Sequence, residues 1–363
     1  MLLKGYSSNV NKTGVFYGKY SFGNIYQDLT NKKGIEDHIV NVIRDDFKKA
    51  GIYDRAHEYD MMDVGIGRQA IGMLLLGAKS VTHFDISRQN IRRFKKLLRQ
   101  RYKDRSITNI CADLCITPPP EENFDFVYLN GIVHHFSNTA QGLRNCAKAV
   151  RKNRKIWVYF YRSGTFKWLV CSMIRSLLSA RQINRYFLSS ALIYSSGDIN
   201  NVVTSRIMDD FFVPYIHLYT PFDYINFMEL LGFRLVKGIN MNPLVQIDHN
   251  HLHHSTTLVF KRIKKLDIDK VDTKNLLIPS SHIDQLSLSL YKDDVRPRQS
   301  IRLFRRLQTM AKYNKNHSTI LLTTFALHKI AAPQYYGGVE LPPDYGKLNA
   351  VLKTAIGLVK NKR

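Results

Sequence analysis

Up to about residue 263 the chain alternates short apolar runs with stripes of 3.6-residue period, which predicts strands alternating with helices. The change of rhythm is clearest in Tyr59 to Leu76, YDMMDVGIGRQAIGMLLL. Met61, Met62 and Val64 make a short apolar run that carries Asp63. Gly65, Ile66 and Gly67 follow, and then Ile71, Leu74 and Leu75 share one helical face. This predicts a strand, a glycine turn and a helix start. Glycines there let a ligand approach the backbone, and the first-turn N–H groups of the helix face that ligand.

Downstream, Ser80 to Asp85 predicts a strand ending in an acid. Arg88 to Arg101 predicts a helix with Ile91, Phe94, Leu97 and Leu98 inward and Arg92, Arg93, Lys95, Lys96 and Arg99 outward. Ile107 to Cys111 is a short strand followed by Ala112, Asp113 and Leu114, and the Pro118-Pro119-Pro120 run marks a loop. Asp125 to Leu129 reads as a buried strand with Asn130 and Gly131 just past its end. Ile132 to His135 and Leu143 to Val150 read as helical, and Ile156 to Tyr161 as a further strand. The alternation implies a parallel sheet covered on both faces, an open doubly wound α/β domain. Ligands of such sheets bind at the carboxyl ends of the strands, where Asp63, Asp85, Asp113 and Asn130 fall.

The flanks differ. Residues 1–58 read as an entry segment or lid, with a Gly/Tyr-rich loop at Gly14 to Tyr26. An amphipathic helix, Ile35 to Ala50, has Ile39, Val42, Ile43 and Phe47 on one side. Tyr17 or Tyr20 can close over a ligand, although aromatics in such loops also serve local packing. Residues 163–219 break the parallel pattern with a mostly helical, aromatic-rich insertion. Thr220 then suits the N-cap of a helix that stops at Gly232. Phe233 to Ile239 and Ser255 to Arg262 follow without a crossover helix, so they pair antiparallel. Residues 264–363 form a Lys-rich extension with short helical patterns at 298–312, 318–331 and 345–360.

At 363 residues and 44% hydrophobic, the chain can bury a large core and an appendage. Cys111, Cys115, Cys146 and Cys171 show no C-x-x-C pair, so reduced thiols in a cytoplasmic protein are expected. The N-terminus lacks a signal-peptide core, and no apolar run reaches the ~18 residues of a membrane span. The net charge of +25 divides into +7 for residues 1–150, +8 for 151–263 and +10 for 264–363. Spread this evenly, it admits nucleic acid, an acidic surface or an anionic substrate as partner, and equally a compositional habit.

Gly65, Gly67 and Ala70 also satisfy the G-x-G-x-x-G/A fingerprint of nicotinamide and flavin enzymes, so the turn alone decides little. The wider set does more. DVGIG (63–67), HFDIS (83–87), ADL (112–114) and FDFVYLNGIVHHF (124–136), with the antiparallel pair after LLGF (230–233), resemble the class I S-adenosylmethionine-dependent methyltransferases. The resemblance is to their broad type 11/25 small-molecule group and covers about residues 58–263. It implies a Rossmann-like seven-stranded sheet with the helical insertion between strands 5 and 6, and S-adenosyl-L-methionine as cofactor. It places Asp85, with Ile86 beside it, on the ribose hydroxyls, and Asp113 and Leu114 on the adenine. Asp63, Asn130 and Gly131 fall near the amino-acid end, and Gly65 and Gly67 at the close backbone approach. Gln69 stands where many members carry a third glycine.

Methyl transfer needs alignment and dryness, and a base only where the acceptor must shed a proton. His217, Tyr219 and His135 are the candidates, with His134 beside them; Asp209 and Asp210 can orient the first two or lie exposed. The HNHLHH string (249–254) would place His249, His251 and His253 on one face if extended, but an exposed turn explains it better than a metal site, and no metal is expected. The function expected is methylation of a small or medium organic acceptor. An RNA methyltransferase gripping phosphates with the basic extension and the Arg88 to Arg101 helix is the alternative. A non-catalytic binding scaffold is a further one, and a nicotinamide-dependent oxidoreductase a remote one.

Overall fold

A computed structural model describes residues 13–17, 34–102, 107–163, 167–168, 171, 209–210, 213–241 and 255–264. Described residues in 13–162, 214–241 and 255–264 belong to one compact unit. Ser163, Lys167, Trp168, Cys171, Asp209, Asp210 and Val213 belong to a second.

In the first unit the elements run α1 (Ile35–Ala50), a 3-10 turn (Tyr53–Glu58), β1 (Asp60–Val64), α2 (Arg68–Leu75), β2 (Ser80–Asp85), α3 (Arg88–Arg101) and β3 (Ile107–Cys111). They continue with β4 (Phe124–Asn130), a 3-10 turn (Val133–His135), α4 (Thr139–Lys148), β5 (Val150–Tyr161), α5 (Pro221–Leu230), β6 (Phe233–Ile239) and β7 (Ser255–Arg262). The strands form one seven-stranded sheet in the order β3-β2-β1-β4-β5-β7-β6. The first five are parallel, and β7 runs antiparallel to both β5 and β6.

Parallel strands buried on both sides are apolar throughout, and β4 shows it, with every residue from Phe124 to Leu129 buried. One face of the sheet packs Met62, Val64, Val127 and Leu129 with Leu143 of α4 and Phe227 of α5. The other packs Met61, Val81, Phe126 and Tyr128 with Ile39 and Phe47 of α1, Ile71 of α2 and Phe94 of α3. The inward set expected for α3 is buried as read. On α1, Val42 is 36% exposed, and Ala50 is buried beside Ile39, Ile43 and Phe47. Strand β5 begins six residues before the expected Ile156. Its polar start is held by ion pairs from Arg151 and Arg154 to Asp125, and from Arg151 to Asp60.

Thr220 caps α5 in a reciprocal capping box with Asp223. In the second unit Lys167 and Asp210 form a buried ion pair at 3.0 Å, and Asp209 is buried too, so neither acid is exposed. Most of the 163–219 insertion, Tyr20, the 249–254 histidines and all but Lys264 of the 264–363 extension lie outside the described residues. No helix among the described residues is long and apolar enough to cross a membrane.

Candidate cofactor and acceptor site

The carboxyl ends of β1 to β4 bring the expected cofactor residues together. After β1, Gly65 takes φ +130 and donates its N–H to Phe84 O at 2.9 Å, tying the turn to β2. Gly67 precedes α2 at φ +84, and α2 has no side-chain cap.

Asp85 ends β2. Its Oδ1 accepts from the Ser87 N–H at 2.5 Å and its Oδ2 from Asn90 Nδ2 at 3.2 Å, while Ser87 caps α3. Burial pushes its carboxyl up to about 6. His83, the Ser87 amide and Asn90 pull the other way, and Asp63 adds to the rise. A carboxylate oxygen has two lone pairs, so one on each oxygen stays open to a neighbouring pair of hydroxyls. Ile86, half-buried, follows. Ala112 donates its N–H to Asp85 O, which sets Asp113 next in line. Asp113 Oδ1 accepts from the Cys115 N–H at 2.9 Å, and its Oδ2 is buried with no partner. Leu114 is buried in the core and its carbonyl accepts from Asn145 Nδ2.

Asp63 is fully buried at the end of β1, with Oδ2 3.2 Å from His83 Nδ1 and Oδ1 without a partner. Asn130 and Gly131 are half-buried at the end of β4, and the Gly131 N–H donates to Tyr159 O. Buried polar atoms in folded proteins are nearly always bonded. The two carboxylate oxygens left without a partner among the described residues, at the ends of β1 and β3, therefore fit a ligand that brings N–H or O–H donors. S-adenosylmethionine brings an adenine amino group, two ribose hydroxyls and an ammonium.

The base candidates divide. His134 is buried, stacked on Tyr161 with centroids 3.8 Å apart, and its Nδ1 accepts from the Tyr161 N–H. His135 Nδ1 lies 2.9 Å from Tyr215 O. A carbonyl only accepts, so Nδ1 carries a proton, and in the neutral form of the ring the basic lone pair is the one on Nε2. The His217 N–H donates to His134 O at 2.8 Å, and its half-buried ring lies parallel to Tyr215. The His134–His217 and His135–Tyr215 hydrogen bonds seat 215–217 on the loop after β4. Tyr219 is built into the core instead: 2% exposed, edge-on to Tyr224, its hydroxyl bonded to Thr139 and its proton affinity raised by burial.

Residues 13–17 are helical and reach the same strand ends. A Cβ on Gly14 would sit 2.8 Å from Ile86 O, and Tyr17 packs edge-on to His135 with centroids 5.6 Å apart. Among the described residues no group of three or more His, Cys, Asp or Glu is placed to hold a metal ion. The sequence reading missed His83, whose partner Asp63 is brought to it only by strand register.

No curated protein matches the sequence. Residues 62–158 match the family model described as a methyltransferase domain. Similar solved structures include the magnesium protoporphyrin IX methyltransferase of Synechocystis, 12% identical, with TM-score 0.45 over 70% of this chain and 100% of that one. Another is the 1,6-didemethyltoxoflavin-N1-methyltransferase of Burkholderia thailandensis, 10% identical, with TM-score 0.39 over 72% of this chain and 94% of that one. The family match lies on the first five strands of the sheet and includes the glycine turn, Asp85 and Asp113. Residues 62–158 thus form a methyltransferase domain, and its cofactor is S-adenosylmethionine.

Proposed function

We propose that the chain methylates a small or medium organic acceptor through an O–H or N–H group, with His135 as the general base. The observation that carries this is the His135–Tyr215 hydrogen bond, which fixes the proton on Nδ1 and leaves Nε2 basic. When bound, the cofactor supplies an electrophilic methyl group on a sulfonium. Asp85 holds the ribose diol and Asp113 the adenine amino group, with Leu114, Ile86, Asn130 and Gly131 lining the crevice. The turn of Gly65 and Gly67, together with Asp63, holds the amino-acid end. His135 takes up the acceptor proton at Nε2, and His217 and Tyr17 flank it. Alignment and exclusion of water supply most of the acceleration in such reactions, ~7–11 kcal/mol in favourable cases.

The test is methyl transfer from labelled cofactor to a panel of phenols, carboxylic acids and heteroaromatic amines. With the acceptor found, His135→Ala is expected to lower kcat/KM by about 100-fold and leave cofactor affinity unchanged. A similar loss in His217→Ala with full activity in His135→Ala would move the base to His217. Full activity in both would remove the base from the mechanism.

A polyanionic acceptor such as RNA is the second reading, favoured by the outward face of α3. Arg92, Lys95, Lys96 and Arg99 are exposed there, with no acid in the helix. RNA retained at ~0.3 M salt would support it, because phosphate contacts weaken steeply as salt rises.

A further inference from the structure

His83 lies two residues before Asp85 on β2, so both side chains leave the strand on the same face. In the parallel register its neighbour on β1 is Asp63. Imidazole and carboxylate are each 0% exposed and 3.2 Å apart. Each keeps one polar atom that bonds nothing among the described residues, His83 Nε2 and Asp63 Oδ1. Phe94 closes the imidazole in from α3, with ring centroids 4.8 Å apart.

The charged groups facing the imidazole are few. Asp63 stands on β1 and Asp85 on β2, and His83 and Asp85 interact electrostatically. Strand β3 offers only Asn109, its register neighbour, and α3 offers Asn90 and Phe94. Beyond Asp63 lie Tyr128, whose hydroxyl donates to Asp46 of α1, and Arg68 of α2. Two buried carboxylates thus interact with the imidazole, which is able to carry a positive charge.

We propose that His83 is a positioning residue of the cofactor site: protonated, it holds Asp63 through its Nδ1–H and supplies the countercharge that keeps Asp85 ionised for the sugar diol. The inference rests on the roles given above to Asp63 and Asp85. A positive ring lowers the proton affinity of Asp85, while burial and Asp63 raise it. Without the ring's charge, only the Ser87 amide and Asn90 oppose that rise. Asp85 then takes up its proton at a higher pH and stops accepting from both hydroxyls.

The test is calorimetric titration of S-adenosylhomocysteine into the full chain between about pH 5.5 and 8.5. Wild type is compared with His83→Asn, His83→Leu and Asp85→Asn. The asparagine amide takes the place of Nδ1 and keeps the bond to Asp63, but it cannot carry charge. His83→Asn is expected to bind within about threefold of wild type at high pH. The midpoint of its affinity loss should move up by about one pH unit, giving roughly tenfold weaker binding near that midpoint. His83→Leu is expected to bind weakly at every pH. If it fails to fold, as judged by circular dichroism, His83→Asn decides alone. A His83→Asn curve parallel to wild type, however far displaced in affinity, overturns the proposal. If Asp85→Asn itself binds normally, the assignment of Asp85 to the diol fails first.

Discussion

Replacing Asp85 by asparagine is expected to stabilise the ligand-free protein at neutral pH while weakening cofactor binding by about 100-fold or more. The two effects have one origin. Burial raises the Asp85 carboxyl to about 6 in the folded chain, against about 3.9 in an unfolded one. The folded state therefore binds this proton more tightly than the unfolded state does. The stability it contributes is full below the unfolded value and is lost as pH rises through the window up to about 6. At pH 7 the loss is on the order of 2–3 kcal/mol. An amide carries no charge to desolvate. Its oxygen still accepts from the Ser87 N–H, and its NH2 can donate to Asn90 Oδ1, which is buried without a partner.

The ligand sees the opposite balance. In the proposed role of Asp85, two hydrogen bonds from the ribose to a charged acceptor, each worth ~1.5–3 kcal/mol, become weaker or are lost. Thermal unfolding without ligand should show Asp85→Asn melting several degrees higher at pH 7.5. The gap should close as pH falls toward about 4. Calorimetry with S-adenosylhomocysteine gives the affinity. A variant that is less stable yet binds as well as wild type would show Asp85 to be only the anchor of α3.

How far such arguments could start from the sequence depends on whether a residue's partners are local. The acid at the end of β2, the cap and stop of α5 and the inward stripe of α3 all follow from neighbours within a few positions, and all were legible. His83 was not. Nothing near it in the chain is acidic except Asp85, and Asp63, twenty residues earlier, meets it only through β1–β2 register. Tyr219 is placed by contacts of the same kind. It lies two residues from His217, but a bridge to Arg162 and the ring of Tyr224 turn it into the core. The polar start of β5 fell outside the expected strand, which began at Ile156, because its charges are satisfied by Asp125 and Asp60, on β4 and β1. In each case the deciding contact joins separate strands, and hydrophobic period does not encode it.

Gly67→Ala is expected to destabilise the fold by about 2–5 kcal/mol and to weaken cofactor binding with it. Two separable costs add. At φ +84 any L-residue is strained, by ~1–2 kcal/mol. A Cβ there would also sit 2.8 Å from the Phe94 ring, which is fully buried and packed edge-on to His83. Overpacking of a buried ring costs ~1–3 kcal/mol. Gly77, just past α2, separates the two costs. Its φ is +86, yet nothing lies within 4 Å of the Cβ it would gain. Gly77→Ala should therefore show the conformational cost alone, and urea unfolding of both variants should differ by the Phe94 clash. Adding Phe94→Leu to Gly67→Ala should recover part of that difference, a favourable coupling of ~1–2 kcal/mol in a double-mutant cycle. If the two changes are simply additive, the ring is not what demands glycine there. Loss of affinity in Gly67→Ala that Phe94→Leu does not restore would then place the requirement in the left-handed backbone that aims the α2 amides at the ligand.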